Sequence, residues 1–169
     1  MAFMLSVRQV DSPQSVSAVQ ELLGEYLAWT QTLEVDSLTA PTFRGIHEEL
    51  AGLPGVYSPP AGRLLLATHD GAAVGCVALK PHHDEHTCEL KRLYVRPGYR
   101  GLRVGWQLVS TVVEEARRAG YRRIVLDSHI SMTKAHDLYR AVGFETIPTP
   151  ADFPERLKAV VVFMECRLG

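Results

Sequence analysis

The segment from Glu89 to Gly105 constrains the fold of this chain more than any other. Its sequence, ELKRLYVRPGYRGLRVG, combines an apolar strand candidate, a proline that stops it, a loop rich in glycine and arginine, and the start of an amphipathic helix. A helix that begins after such a loop offers free backbone N–H groups and the positive end of its dipole, which favour a bound phosphate. Five basic side chains lie there with no acid between them: Lys91, Arg92, Arg96, Arg100 and Arg103. The segment therefore predicts an anion site.

The composition is that of an ordinary globular chain and argues against several classes. The 169 residues are 46% hydrophobic and 22% charged, which predicts one domain over 1–169. Because the net charge is −1, the basic segment is local, and we expect no nucleic-acid partner. No apolar run approaches the ~18 residues of a membrane helix, so we expect no membrane partner. The N-terminus has no basic region leading into an apolar stretch, so we do not expect secretion. Cys76, Cys88 and Cys166 fit no disulfide or metal pattern, which favours a reducing, cytoplasmic location.

Hydrophobic periodicity predicts a mixed sheet with helices on its faces, an α/β class. Helices are predicted at 13–30, 42–53, 104–119 and 132–142, and strands at 4–10, 63–68, 72–79, 86–95, 123–127, 144–147 and 160–168. The order is β-α-α-β-β-β-α-β-α-β-β. Ser12 or Asp11 can cap the first helix ahead of Pro13, and a His-Asp-Gly turn predicts a hairpin between the second and third strands.

The strand at 86–95 contains an irregularity that allows two interpretations. By alternation Leu93 and Val95 share one face, whereas Leu90 falls on the other. A one-residue slip, repaired by a β-bulge, would bring all three to one side and leave backbone groups free for a ligand. A strand buried on both faces would need no bulge. Alternation alone does not decide between them.

Several motifs together resemble the GNAT N-acetyltransferase family. Arg100-Gly101-Leu102-Arg103-Val104-Gly105 is similar to the family's loop that cradles the pyrophosphate of acetyl-CoA, and 89–95 is similar to the preceding strand, whose bulge bonds the pantetheine arm. Residues 135–144, AHDLYRAVGF, match the family's A-x-x-L-Y-x-x-x-G-F pattern, and Phe163-Met164-Glu165 resembles its closing strand. The resemblance is strong over 63–168 and mainly one of layout before that, and it implies a GNAT-like fold.

Two positions depart from the family pattern. Arg103 stands where the loop usually has its middle glycine. A right-handed backbone would accept arginine there without strain, whereas a positive φ would not accept it easily. Met132 stands where many members have an asparagine near the pantetheine, which removes one expected contact with CoA.

The resemblance implies a reaction and a set of site residues. It implies an acetyl-CoA-dependent N-acetyltransferase that needs no metal and acetylates a primary amine, on a small molecule or a peptide, by direct attack in a ternary complex. The implied cofactor-binding residues are Leu93, Tyr94, Val95, Arg100, Gly101, Leu102, Arg103, Val104, Gly105, Trp106 and Tyr139. Tyr139 is the position that the family uses to protonate the leaving thiolate; the alternative is a core residue of the last helix. Many relatives pair through their sheets, so a homodimer is possible.

Glu89 is the candidate base, because it begins the strand that would line the acceptor cleft and matches a family glutamate. The alternative is a solvated strand-end residue paired with Lys91. The backbone N–H of Leu93 could polarise the thioester carbonyl. Further candidates are weaker: His83, His86, Asp127 and His129 for proton removal, and Tyr26, Trp29 and Phe43 for an aromatic wall. The run His82-His83-Asp84-Glu85-His86 is interpreted as a polar hairpin loop and not as a metal site.

Two rival functions stay open on the sequence alone. A protein of the same fold could bind acyl-CoA as a sensor or regulatory module without turnover, and Arg103 and Met132 leave room for this. A nucleotide-phosphate protein is weaker, because no Gly-Lys-Ser/Thr follows the loop. No motif identifies the acceptor in the segments expected to select it, 24–62 and 80–88.

Overall fold

The computed structural model describes residues 2–32 and 44–169. The helices are α1 (Pro13–Thr30), α2 (Ile46–Ala51), α3 (Val104–Arg118) and α4 (Thr133–Val142). The strands are β1 (Leu5–Gln9), β2 (Arg63–His69), β3 (Ala72–Pro81), β4 (Thr87–Val95), β5 (Arg123–His129), β6 (Glu145–Ile147) and β7 (Val161–Arg167). The predicted order of elements is confirmed. The single-domain organisation stays a prediction.

The element boundaries follow from local signals. Ser12 caps α1 through its side chain, which accepts from the backbone N–H of Ser15 at 3.2 Å, and Pro13 occupies the first turn. Asp70 and Gly71 both have positive φ, so β2 and β3 meet in a tight two-residue turn. The second helix begins at Ile46, later than predicted; residues 42 and 43 lie outside the described residues.

The seven strands form one sheet in the order β1-β2-β3-β4-β5-β7-β6. One buried cluster joins α3 to one face of this sheet, with Leu108 and Val112 packed among residues of the central strands. A second cluster joins α1 to the other face, with Leu22 and Leu23 near Cys76 and Tyr94. The sheet is therefore covered on both faces, as expected of strands with near-continuous apolar runs.

Strands β4 and β5 pair in parallel only at their beginnings. The register runs from Thr87 opposite Arg123 to Glu89 opposite Val125 and then ends, although both strands continue. Beyond Glu89, the edge of β4 that faces β5 thus has no partner strand among the described residues. Its backbone N–H and C=O groups are available to a ligand lying in the gap.

The bulge interpretation of β4 is confirmed. The register against β3 shifts by one residue between the Cys76–Tyr94 and Ala78–Lys91 pairs, and Arg92 has a φ of 60°. As a result, Leu90, Leu93 and Val95 all contact the core cluster on the α3 side. No helix within residues 2–32 and 44–169 combines the length and apolar character needed to cross a membrane.

Candidate functional site

A cleft of about 640 Å³ opens where β4 and β5 have separated. Its walls come from the end of β4, the loop before α3 and its first turn, the segment leading into α4, and one side of α1. The lining residues are Tyr26, Trp29, Leu93, Tyr94, Val95, Arg100, Gly101, Arg103, Val104, Gly105, Trp106, Ser131, Met132, Thr133, Lys134, Ala135 and Leu138. Volume and shape are those of a small-molecule site.

Most of the predicted cofactor-binding residues meet in this cleft. They are Leu93, Tyr94, Val95, Arg100, Gly101, Arg103, Val104, Gly105 and Trp106. Leu102 does not line the cleft, and 51% of its surface is exposed. Tyr139 does not line it either: the ring is buried below the cleft wall, beside α4 residues that do.

The start of α3 forms an anion-binding arrangement. Gly101 has a φ of 86°, and Arg103 precedes the helix with a φ of 62° and no side-chain cap. The first-turn N–H groups therefore have no intrahelical acceptor and point towards the cleft end. The right-handed backbone considered for Arg103 is wrong. Its guanidinium carbon lies 4.6 Å from the centre of the Trp106 ring, a cation–π contact that helps to hold this conformation.

The basic cluster expected at this loop is smaller than the sequence suggests. Three of the five cations turn to carboxylates: Lys91 to Glu89 at 3.3 Å, Arg92 to Glu49 at 2.8 Å and Arg96 to Glu25 at 2.8 Å. Of the five, Arg100 and Arg103 line the cleft. The sequence did not reveal this, because Glu49 and Glu25 come from α2 and α1 and follow no local spacing rule.

Gly105 has a packing role that the sequence did not show. A Cβ added there would lie 3.0 Å from Cδ2 of Leu138, so glycine lets α3 approach α4 closely. Met132 lines the cleft just before α4, and its thioether accepts from the Ser128 hydroxyl at 3.6 Å. The Met132 side chain does not cap α4, as expected where methionine replaces the asparagine that many family members have at this position.

The bulge is anchored by a buried ion pair that the sequence also missed. The Arg92 side chain is 3% exposed, and its Nε and Nη2 donate to Glu49 at 2.8 and 3.1 Å. The Tyr57 hydroxyl donates to the same carboxylate at 2.8 Å. Burial alone would raise the pKa of Glu49, but the hydrogen bonds and charge of Arg92 outweigh it and hold that pKa below its ordinary value.

An aromatic wall closes the α1 side of the cleft. The Tyr26 ring lies 6.2 Å from Trp29 and 5.9 Å from Tyr94, and the Tyr94 hydroxyl donates to Glu25 at 3.1 Å. Burial raises the pKa of Tyr26 to about 12. Phe43, the third predicted member, lies outside the described residues.

Tyr139 packs against Phe144, with ring centres 5.6 Å apart, and 6% of its surface is exposed. Burial raises its pKa, and the negative charges of ionised Tyr26 and Asp127 would raise it further. The phenol is therefore protonated at neutral pH.

The acidic candidates have different surroundings. Glu89 is paired with Lys91 at 3.3 Å and with Lys80 at 3.8 Å, as the alternative interpretation predicts, but its side chain is 17% exposed and therefore not fully solvated. Burial raises the pKa of Asp127; Lys91 opposes the shift and Glu89 adds to it.

Two of the histidine candidates, His129 and His86, take part in hydrogen bonds with residues two positions away. Nδ1 of His129 accepts from the backbone N–H of Ser131 at 3.2 Å. His82, His83 and Asp84 have potential ligand atoms within 4.8 Å of one another, in the loop between β3 and β4. Asp84 accepts from the backbone N–H of His86 at 2.9 Å, a bond that stabilises this turn.

The chain is similar in sequence to one family of enzymes. Residues 24–144 match the model of the acetyltransferase (GNAT) family. A Schizosaccharomyces pombe protein, named as an uncharacterized N-acetyltransferase, is 38% identical over 84% of this chain and 83% of its own length. N-acetylaspartate synthetase of Mus musculus is 33% identical over 59% of this chain, which spans 33% of that protein.

Solved structures share the fold across the whole sheet. A GNAT-family acetyltransferase from Staphylococcus aureus has a TM-score of 0.77 at 20% identity, covering 98% of this chain and 100% of the other. PaiA N-acetyltransferase from Thermoplasma acidophilum, solved with coenzyme A, has a TM-score of 0.74 at 18% identity, covering 97% and 99%. YncA from Salmonella typhimurium, solved with acetyl-CoA, has a TM-score of 0.70 at 21% identity, covering 98% of this chain and 94% of the other.

Proposed function

The chain belongs to the GNAT family of acetyltransferases, and from that premise we propose that it transfers the acetyl group of acetyl-CoA to a primary amine by direct attack in a ternary complex. One observation carries the proposal. A single cleft joins the unpaired, bulged edge of β4 to the uncapped start of α3. These are the two kinds of backbone surface that a long, partly anionic thioester needs.

The residues present fit CoA along its length. The first-turn N–H groups of α3, with Arg100 and Arg103, would bind the pyrophosphate. The free edge of β4 from Leu93 to Val95 would hydrogen-bond the amides of the pantetheine arm. The Leu93 N–H would polarise the thioester carbonyl. The bound co-substrate supplies an activated acetyl group, and no metal is needed.

We assign the proton transfers to Tyr139 and Glu89, neither of which is among the residues that line the cleft. Tyr139 would protonate the departing thiolate, because it is a buried phenol that stays protonated and adjoins the cleft wall. Glu89, on the sheet face covered by α1, is the carboxylate that the family pattern indicates for proton removal from the amine. Glu89→Gln is expected to change the pH profile of kcat/KM, and an unchanged profile would remove Glu89 from the mechanism.

L-Aspartate is the first acceptor to test. Related chains from several vertebrates are N-acetylaspartate synthetases, although they match part of this chain only. A cytoplasmic location and a homodimer stay predictions.

Initial rates of CoA-thiol release test this function. We would vary acetyl-CoA against L-aspartate, spermidine, phenylethylamine and a peptide with a free N-terminus. Saturable release with intersecting double-reciprocal lines is expected for at least one amine. Tight CoA binding without release from any amine would favour the sensor or regulatory alternative, and parallel lines would contradict direct attack.

A further inference from the structure

Two carboxylates face the same side of the sheet on neighbouring strands. Glu89 lies opposite Val125, where the pairing of β4 and β5 ends, and Asp127 lies two residues beyond Val125 on the same face of β5. Ile124 and Leu126, which point the other way, are buried in the core beneath α3. Asp127 therefore lies just past the point where the strands separate, on the side covered by α1.

Charged and phenolic groups surround Asp127 from three elements. Glu89, Lys91 and Arg92 act on it from β4, and its own charge acts on Tyr26 of α1 and Tyr139 of α4. On β7, its neighbour in the sheet is the apolar Phe163. Asp127 is thus the acid whose negative charge raises the pKa of both Tyr26 in the aromatic wall and Tyr139, the proposed proton donor.

The two carboxylates differ in how they are paired. Glu89 is engaged by Lys91 and Lys80 at 3.3 and 3.8 Å. Within the part of the chain that the structure describes, Asp127 makes no ion pair within 4.0 Å, and its burial raises its pKa. Neighbouring carboxylates with such different surroundings take different roles in acid–base chemistry.

We propose that Asp127 receives the proton from the acceptor ammonium and that Glu89 is a positioning residue whose charge acts through Asp127. This rests on the proposed acetyl transfer. The ammonium N–H bond breaks and its proton goes to the Asp127 carboxylate, and then to solvent. The freed electron pair forms the C–N bond, and the carbonyl π pair moves to oxygen. Collapse breaks the C–S bond; the thiolate takes a proton from Tyr139, which recovers one from the nitrogen.

The pH dependence of kcat/KM in matched variants tests this proposal. The probes are acetyl-CoA and L-aspartate, or the panel amine with the highest kcat/KM. Asp127→Asn should lower kcat/KM at least about 100-fold and remove the acidic limb of the profile. Glu89→Gln should keep most activity and move that limb to lower pH, because the negative charge that raises the pKa of Asp127 is gone. The part of the pH profile that reflects protonation of the free amine is the same in all variants.

Asp137→Asn is the control, because this acid lies exposed on α4 and pairs with Arg140. CoA titration and thermal unfolding report whether each variant is folded. If Asp127→Asn does not fold, the proposal is tested by whether the acidic limb of the kcat/KM profile moves to lower pH in Glu89→Gln. An Asp127→Asn enzyme with normal turnover, or a Glu89→Gln enzyme without the limb, would overturn this proposal while acetyl transfer stands. A wild-type protein without turnover would overturn the proposed function itself.

Discussion

At the scale of single residues, Arg103 combines a side chain suited to phosphate with a backbone that disfavours it. Its φ of 62° lies in the left-handed region, where a Cβ costs about 1–2 kcal/mol. The guanidinium, stacked on Trp106 at the cleft, offsets part of that cost and adds charge where the pyrophosphate would lie. Arg103 thus combines a left-handed backbone with a positive charge at the cleft.

Two substitutions separate these effects. Arg103→Gly relieves the backbone and should raise the free energy of unfolding by about 1 kcal/mol, whereas Arg103→Ala keeps the strain. Both should weaken CoA binding equally and reduce its salt dependence, because both lose the charge. Chemical unfolding and calorimetric titration at two salt concentrations measure this. Equal stabilities of the two variants would show that the φ of Arg103 carries no strain.

Tyr139 provides the second prediction at this scale. Because the ring packs in the core and only the hydroxyl is available for chemistry, Tyr139→Phe should keep the fold and the affinity for CoA. It should lower kcat about 100-fold, the range of a lost general acid. Steady-state kinetics with a CoA titration measure both. An unchanged kcat would leave Tyr139 with its packing role alone.

At the scale of elements, the bulge of β4 is tied to α2. Arg92 occupies a left-handed position in the strand, and its side chain is held by Glu49, which Tyr57 also contacts. The thiol of Cys76 approaches the carbonyl of Arg92 at 3.5 Å on the same side. These contacts fix the backbone that would hold the thioester, so α2 contributes to the cleft without lining it.

Breaking this anchor should be costly. Glu49→Gln leaves Arg92 with a neutral partner in a buried site and should lower the free energy of unfolding by about 2–3 kcal/mol. Tyr57→Phe, which removes one hydrogen bond to the carboxylate, should cost about 1.5 kcal/mol. The pKa of Glu49 is lower in the folded state than in the unfolded state. The ion pair therefore stabilises the folded protein at pH values above the unfolded-state pKa, and this stabilisation is lost as the pH falls through the folded-state pKa. The difference between wild type and Glu49→Gln should therefore shrink in acid; a constant difference across pH would contradict the ion pair.

Sequence patterns predicted the elements better than the contacts between them. The helical period of α3 and the hairpin turn at Asp70-Gly71 are local signals, and both were confirmed. The Arg92–Glu49 pair spans 43 residues, and the bond from Arg96 to Glu25 spans 71, so no local rule connects them. The backbone of Arg103 was left open between a right-handed conformation and a positive φ, because arginine prefers the first whereas the family's loop usually has glycine at this position.

At the scale of the whole molecule, two cores lie on opposite faces of the sheet, and the cleft opens where the pairing of β4 and β5 has ended. α3 and α4 pack on one face and α1 on the other, and the cleft takes residues from all three helices. The site therefore needs the assembled fold, and ligand binding should stabilise the whole chain.

CoA should raise the unfolding temperature measurably. At a concentration of 100 times its Kd, a ligand adds about 2.7 kcal/mol, or roughly 5–10 °C in a chain of this size. Pantetheine, which lacks the pyrophosphate, should give a much smaller shift at equal concentration. Calorimetric scans measure both. Equal shifts would contradict a pyrophosphate site at the start of α3.

The most direct measurement follows the acetyl group itself. The protein is mixed with acetyl-CoA labelled in the acetyl group and with the best amine of the panel, and mass spectrometry records the label on amine and protein through a single turnover. We predict that the label passes to the amine and that the mass of the protein stays unchanged throughout. Label on the protein before the amine, or label that remains on bound CoA, would contradict direct acetyl transfer in this cleft.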